Sequence, residues 1–139
     1  AILRYGTHAD AGSLYNTPNT FGIYLVRHVL EWLEEQGGLS EMEARNRAKA
    51  DLLYTELDRT GFWRPHASKD ARSVMNVTWR LPSEELEETF VKQAKAAGLD
   101  GLKGHRSVGG IRASLYNYLP HDSVQALVGF MREFEQKNG

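Results

Sequence analysis

The sequence predicts an α+β fold: a small, mainly antiparallel sheet with helices packed on one face. Three observations carry this. Residues 73–81 and 111–116 alternate apolar and polar side chains, the mark of strands with one buried face. Around them run longer stretches with apolar residues at helical spacing, bounded by glycine or proline. The connections are short, and three or four strands interspersed with helices suit a two-layer arrangement.

Taken in order, residues 2–5 read as a short strand and residues 7–19 as an irregular loop rich in turn formers. Thr20 caps a helix over residues 21–36. In that helix Phe21, Tyr24, Leu25, Val29, Trp32 and Leu33 form one apolar stripe, and Ile23, Val26 and Leu30 a second. A helix apolar on more than one face is prepared to meet another domain or subunit. Gly37-Gly38 ends it, and Ser40 with Glu43 forms a capping box that opens a helix over residues 41–59. Ala48, Leu52, Leu53 and Leu57 give this helix a narrow buried stripe. Residues 62–65 read as an edge strand because Pro65 is poorly tolerated in a central one. Residues 73–81 make the clearest strand, with Met75, Val77, Trp79 and Leu81 on one face.

Pro82-Ser83-Glu84-Glu85 starts the next helix, its acids placed where the helix dipole favours them. Leu86, Phe90, Ala94 and Ala97 line its apolar side, and Gly98 closes it. Residues 102–104 and 111–116 read as strands flanking a loop. Pro120 opens the last helix, with Val124, Leu127, Val128, Met131 and Phe134 facing the core.

Composition narrows the function. Over 139 residues, 41% are hydrophobic and 25% charged, as in a soluble globular domain. Seventeen basic side chains against eighteen acidic ones give a net charge of −1, so bulk charge recruits neither nucleic acid nor an acidic membrane. Any anion site must be local. The absence of cysteine removes disulfides, thiolate metal sites and a cysteine nucleophile, and fits a reducing, cytoplasmic location. No apolar run approaches the about 18 residues that span a bilayer. The chain opens on Ala1-Ile2-Leu3-Arg4-Tyr5, without an initiator Met or a signal-peptide pattern, and reads as starting inside a longer protein.

Two stretches carry candidate chemistry. In Lys103-Gly104-His105-Arg106-Ser107-Val108-Gly109-Gly110-Ile111-Arg112, cationic or cationisable side chains flank a glycine pair. An Arg fork pairs with a carboxylate or phosphate through two hydrogen bonds, and a His adds a donor. His105, Arg106 and Arg112 therefore suit a ligand with two anionic groups. The competing reading makes them solvated surface residues or partners of the many glutamates. In Ser13-Leu14-Tyr15-Asn16-Thr17-Pro18, an amide, hydroxyls and backbone N–H groups precede a helix N-terminus, as in many phosphate sites; ordinary capping uses the same residues.

Other groups carry less. His8, His28, His66 and His121 share no metal-ligand spacing, and Trp32, Trp63 and Trp79 read as core. The acidic run from Glu84 to Glu88 reads as the solvated start of a helix. Lys49, Lys69, Lys92, Lys95, Lys103 and Lys137 lie mostly in polar surroundings, none desolvated enough for covalent chemistry.

Asn16-Thr17-Pro18 with Thr20-Phe21, Met75-Asn76-Val77, Gly98-Leu99, Lys103-Gly104-His105-Arg106 and residues 109–117 occur in an order and spacing that resembles the bacterial phosphoserine aminotransferases. The likeness continues through Phe130-Met131 and Phe134-Glu135, and covers only the C-terminal portion of such an enzyme. It implies a fold-type-I, dimeric, pyridoxal phosphate-dependent transaminase of serine biosynthesis, acting on glutamate and 3-phosphohydroxypyruvate; some relatives also serve vitamin B6 synthesis. It implies that residues 1–20 end the large domain and carry the cofactor-phosphate loop, 21–38 form a connecting helix and 39–139 the small domain. Arg112 would hold the substrate carboxylate, and His105 with Arg106 its phosphate. Asn16 and Thr17 would reach the cofactor phosphate in the partner's active site. The family usually has a second proline where this chain has Asn19, and its cofactor-linking lysine lies outside this chain, so the piece alone is expected to be inactive. The alternatives are a stand-alone module binding a phosphorylated ligand and a purely structural or dimerisation domain.

Overall fold

The computed structural model describes residues 1–139, and the expected alternation is seen directly in its sheet. Three antiparallel strands lie in the order β1 (Arg64–Pro65), β2 (Asn76–Arg80), β3 (Ile111–Ser114). Pro65 sits on the edge strand, where its missing N–H costs no ladder bond. Across the β2–β3 pair Val77 faces Ala113, Thr78 faces Arg112 and Trp79 faces Ile111. Val77, Trp79, Ile111 and Ala113 are buried, whereas Thr78, Arg80, Arg112 and Ser114 are half-buried on the opposite face. The fold is α+β.

Five helices accompany the sheet: α1 (Tyr5–Asp10), α2 (Thr20–Glu35), α3 (Gly38–Arg59), α4 (Glu84–Ala96) and α5 (His121–Asn138). The chain divides into two compact units, Ala1–Leu39 and Ser40–Gly139. In the second, side chains from α3, α4 and α5 join the buried strand face in one core, with Leu53, Leu57, Phe90 and Met131 fully enclosed. The residues expected to bury from α5 all do so. Trp63 and Trp79 are core residues, while Trp32 is only half-buried. No helix is long and apolar enough to cross a membrane.

Several expectations are corrected. Residues 2–5 form no strand: Ile2 and Leu3 find no ladder, and the chain coils into α1, where the His8 ring nitrogen Nε2 lies 2.8 Å from the Ile2 carbonyl. Residues 7–10, expected in a loop, belong to that helix. Asn19, not Thr20, caps α2: its Oδ1 accepts the Gly22 N–H at 3.0 Å. The Ser40–Glu43 capping box does not form. Gly37 and Gly38, with φ of +103° and +76°, turn the backbone so tightly that α3 begins at Gly38 and places Ser40 inside its first turn.

The buried stripe of α3 is also wider than expected and partly polar. Ala48 is exposed, while Asn46, Lys49 and Glu56 are buried. Ala97 of the expected α4 stripe is exposed, because α4 ends before it and Ala97 is the C-cap. Lys49, expected in polar surroundings, is 2% exposed and donates to the carbonyls of Leu115, Tyr116 and Leu119 at 3.2, 2.8 and 3.1 Å. Its partners lie in the segment after β3, far along the chain. Burial lowers its pKa.

Glu56, 1% exposed, is bracketed by Arg59 at 2.8 Å and by Arg132 Nε at 2.7 Å. Burial alone would raise its pKa, but the two guanidinium groups outweigh it and hold the carboxyl below its ordinary value. The folded state thus binds this proton less readily than the unfolded chain. The stabilisation is complete above the ordinary glutamate range and is lost as pH falls through the depressed folded value. Acid denaturation followed by circular dichroism should show this loss below about pH 4.3. Glu56→Gln should flatten that part of the profile; an unchanged acid limb would contradict the assignment.

Candidate anion-binding site

Residues 104–110 leave and rejoin the sheet at one point. The Gly104 N–H donates to the Gly110 carbonyl at 2.8 Å, and the Arg112 N–H to the Leu102 carbonyl at 2.9 Å. Lys103 forms an isolated bridge with Ile111, which is what remains of the strand expected over 102–104. Within the loop, Val108 and Gly109 both donate to the His105 carbonyl, at 2.9 and 2.7 Å. The loop needs its first glycine for space: a Cβ on Gly104 would lie 2.1 Å from the Gly109 carbonyl oxygen.

The loop presents His105 and Arg106 to solvent. The Ser107 N–H donates to His105 Nδ1 at 3.3 Å, and the Ser107 hydroxyl lies 2.7 Å from the same nitrogen. With Nδ1 accepting, Nε2 is left as the donor nitrogen. His105 and Arg106 line an open cleft of about 700 Å³ between the loop and α4, together with Arg80, Lys92 and Lys103. Glutamates of the α4 N-terminal half line it too, so its charge is mixed.

Arg112 stands apart from that cleft. It projects from β3 on the polar face, opposite Thr78, and is half-buried. Its Nε is buried without a hydrogen-bond partner. A buried guanidinium donor left open is an acceptor-seeking group, and a carboxylate supplies the matching fork. The structure therefore brings His105 and Arg106 together on one loop and sets Arg112 two residues beyond its end. Asn16 and Thr17 lie in the other unit, exposed in the segment before α2.

Two residues of the site were missed by sequence reasoning. Arg80, at the end of β2, donates through Nη1 to Glu87 at 3.0 Å and through Nη2 to the Val108 carbonyl. Glu87, expected as a solvated helix residue, is 8% exposed and also accepts the Leu81 N–H at 3.3 Å. It is buried because α4 returns its first turns against the strand end. No spacing rule joins a strand-end arginine to a helical glutamate and a loop carbonyl.

The lysines offer no amine free in a buried setting. All three donors of Lys49 are engaged by carbonyls, and the other five lysines are exposed.

Comparison with known proteins agrees over nearly the whole chain. Residues 2–127 match the sequence profile of the aminotransferase class-V family. A phosphoserine aminotransferase of Desulfatibacillum aliphaticivorans is 58% identical over 140 residues, covering all of this chain and 39% of that protein. The structure of phosphoserine aminotransferase from Bacillus circulans subsp. alkalophilus superposes with a TM-score of 0.91 at 53% identity, covering 99% of this chain and 38% of the other. The crystal structure of PLP-bound phosphoserine aminotransferase from Trichomonas vaginalis gives 0.83 at 37% identity, covering 92% and 37%. The chain thus spans well under half the length of the relatives it matches. It belongs to the class-V aminotransferase family.

Proposed function

We propose that this chain is the substrate-gripping part of a pyridoxal phosphate-dependent phosphoserine transaminase, which exchanges an amino group between glutamate and 3-phosphohydroxypyruvate. The reading places it in serine biosynthesis, in the cytoplasm, with the related step of vitamin B6 synthesis as a further use. Residues 39–139 form the small domain, 21–38 the connecting helix and 1–20 the end of the large domain. The division into compact units between Leu39 and Ser40 supports a boundary next to the start of the small domain; it does not separate 1–20 from 21–38.

The observation that carries the reading is Arg112, whose buried Nε has no partner within the chain. In this role Arg112 receives the substrate carboxylate, while the exposed His105 and Arg106 close on the phosphate. Two fixed points, a carboxylate and a phosphate, orient a three-carbon substrate between them and leave its central carbon for the chemistry. Pyridoxal phosphate, when bound, supplies the electron-withdrawing ring that amino transfer requires. Asn16 and Thr17 fit its phosphate because they present an amide and a hydroxyl from an exposed segment just before a helix N-terminus.

In the functional homodimer these two residues serve the partner's active site. The same association covers α2, where no residue is buried and Phe21, Ile23 and Val26 are 70%, 63% and 58% exposed. The lysine that links the cofactor belongs to the part of the protein outside this chain, consistent with the engaged or exposed state of the lysines here.

The test is Arg112→Ala in the complete enzyme. Losing a charge-assisted, two-pronged contact of about 1.5–3 kcal/mol should reduce kcat/KM for phosphoserine about 10- to 100-fold. Unchanged steady-state kinetics for both substrates would remove Arg112 from the site.

A further inference from the structure

The glycine pair at 109–110 is explained by what lies beneath it. Gly109 and Gly110 have φ of +75° and +72°, so each favours glycine on backbone grounds alone. A Cβ on Gly110 would also meet Arg80 Cδ and the Trp79 carbonyl oxygen, both at 2.9 Å. One on Gly109 would lie 3.1 Å from Arg80 Nη1. The loop that carries His105 and Arg106 is thus laid down on the side chain of Arg80.

That side chain is held at both ends of its fork. Nη2 donates to the Val108 carbonyl in the loop, and Nη1 to Glu87 of α4 at 3.0 Å. Glu87 is fixed in turn by the Leu81 N–H and is nearly buried. A planar guanidinium with two engaged nitrogens tolerates little rotation. A support locked by its own partners transmits that rigidity to what it supports. The His105 carbonyl, which takes both the Val108 and Gly109 N–H groups, ties the base of the loop to the Arg80-bound carbonyl two bonds away from Val108 N.

We propose that Arg80, clamped by Glu87, is a positioning residue for the phosphate-binding arm, fixing the return of the loop so that His105 and Arg106 are presented together. The proposal rests on the reading of His105 and Arg106 as that arm. It assigns to Arg80 no contact with the substrate. The guanidinium acts through the Val108 carbonyl and by packing under Gly109 and Gly110.

The experiment uses the complete holoenzyme, with Arg80→Met, Arg80→Lys and Arg106→Ala compared with the parent. Three quantities are read: KM and kcat for O-phosphoserine, and amide hydrogen exchange at Val108 and Gly109. Arg80→Met keeps an apolar stem under the glycines but removes both donors. It should raise KM on the order of tenfold with kcat nearly kept, and speed exchange at Val108 and Gly109 while α3 and α5 amides stay protected. Arg80→Lys, which keeps one charged donor, should recover part of both. Unchanged loop exchange overturns the proposal; if KM rises nevertheless, Arg80 touches substrate directly. Exchange accelerated throughout α3 and α5 also overturns it, since Arg80 then only stabilises the domain. Arg106→Ala separates the two ideas: if it leaves KM for phosphoserine unchanged, the phosphate-site reading fails, while loop exchange in Arg80→Met still decides whether Arg80 orders the loop.

Discussion

Replacing Phe90 with alanine should lower folding stability by about 3–5 kcal/mol, measured by chemical denaturation. Phe90 is fully buried on α4 and is the hub of an aromatic cluster. Its ring lies 5.1 Å from Phe134, 5.6 Å from Trp63 and 6.4 Å from Trp79, all edge-to-face, and 5.3 Å from Phe130 in tilted geometry. Each such pair adds about 0.5–1.5 kcal/mol beyond area burial. Truncation removes one ring and leaves four without their common neighbour, three of them on rigid helices or a strand that cannot collapse into the gap. The consequence reaches the candidate anion site, because Phe90 pins the helix whose preceding turn carries Glu87 to Arg80. Phe90→Leu should recover much of the loss. A Phe90→Ala variant within about 1 kcal/mol of the parent would contradict this account of the core.

Lys49→Met should cost about 3 kcal/mol or more, although it replaces a buried charge with an apolar side chain of similar length. The Lys49 ammonium collects the carbonyls of Leu115, Tyr116 and Leu119, all within 3.2 Å. These belong to the chain just after β3, which leaves the sheet without another strand to receive it. Methionine fills the space but takes the donor from the carbonyls of Leu115, which is buried, and Leu119, while the Tyr116 carbonyl keeps the Leu119 N–H at 2.9 Å. The loss should appear in denaturation midpoints and as selective exposure of the 115–119 segment to proteolysis. Stability unchanged by the substitution would show that water satisfies those carbonyls as well.

What was legible in the sequence follows from the range of the interactions. Alternation and helical spacing are local, so β2, β3, α4 and α5 were visible, and so was the buried set of α5. The loop that carries His105 and Arg106 beside a glycine pair was visible too, because the chain itself brings these residues side by side. Lys49 was not legible as a buried donor, since its acceptors lie 66 to 70 residues away. Glu87 looked like one more acid in a solvated first turn, and only the return of α4 to the end of β2 buries it. The Ser40 box failed for a local reason that propensity did not rank: two glycines at positive φ started α3 before the expected cap. The roles of Asn16 and Thr17 were drawn from resemblance, and nothing local in their exposed segment fixes them.

Asn19 and Gly22 are tied together in a way that bears on how this sequence can drift. The Asn19 amide caps α2 by accepting from Gly22, and a methyl group at position 22 would lie 2.6 Å from Asn19 Nδ2. Alanine at 22 would gain about 1 kcal/mol of helix propensity but displace a cap of similar worth. The two effects nearly cancel, so the Asn19 cap removes what alanine would otherwise gain at position 22. Where a relative carries proline at the position of Asn19, that hold is released, and position 22 is free to leave glycine. Alanine at position 22 should therefore stabilise the helix only when residue 19 no longer caps it.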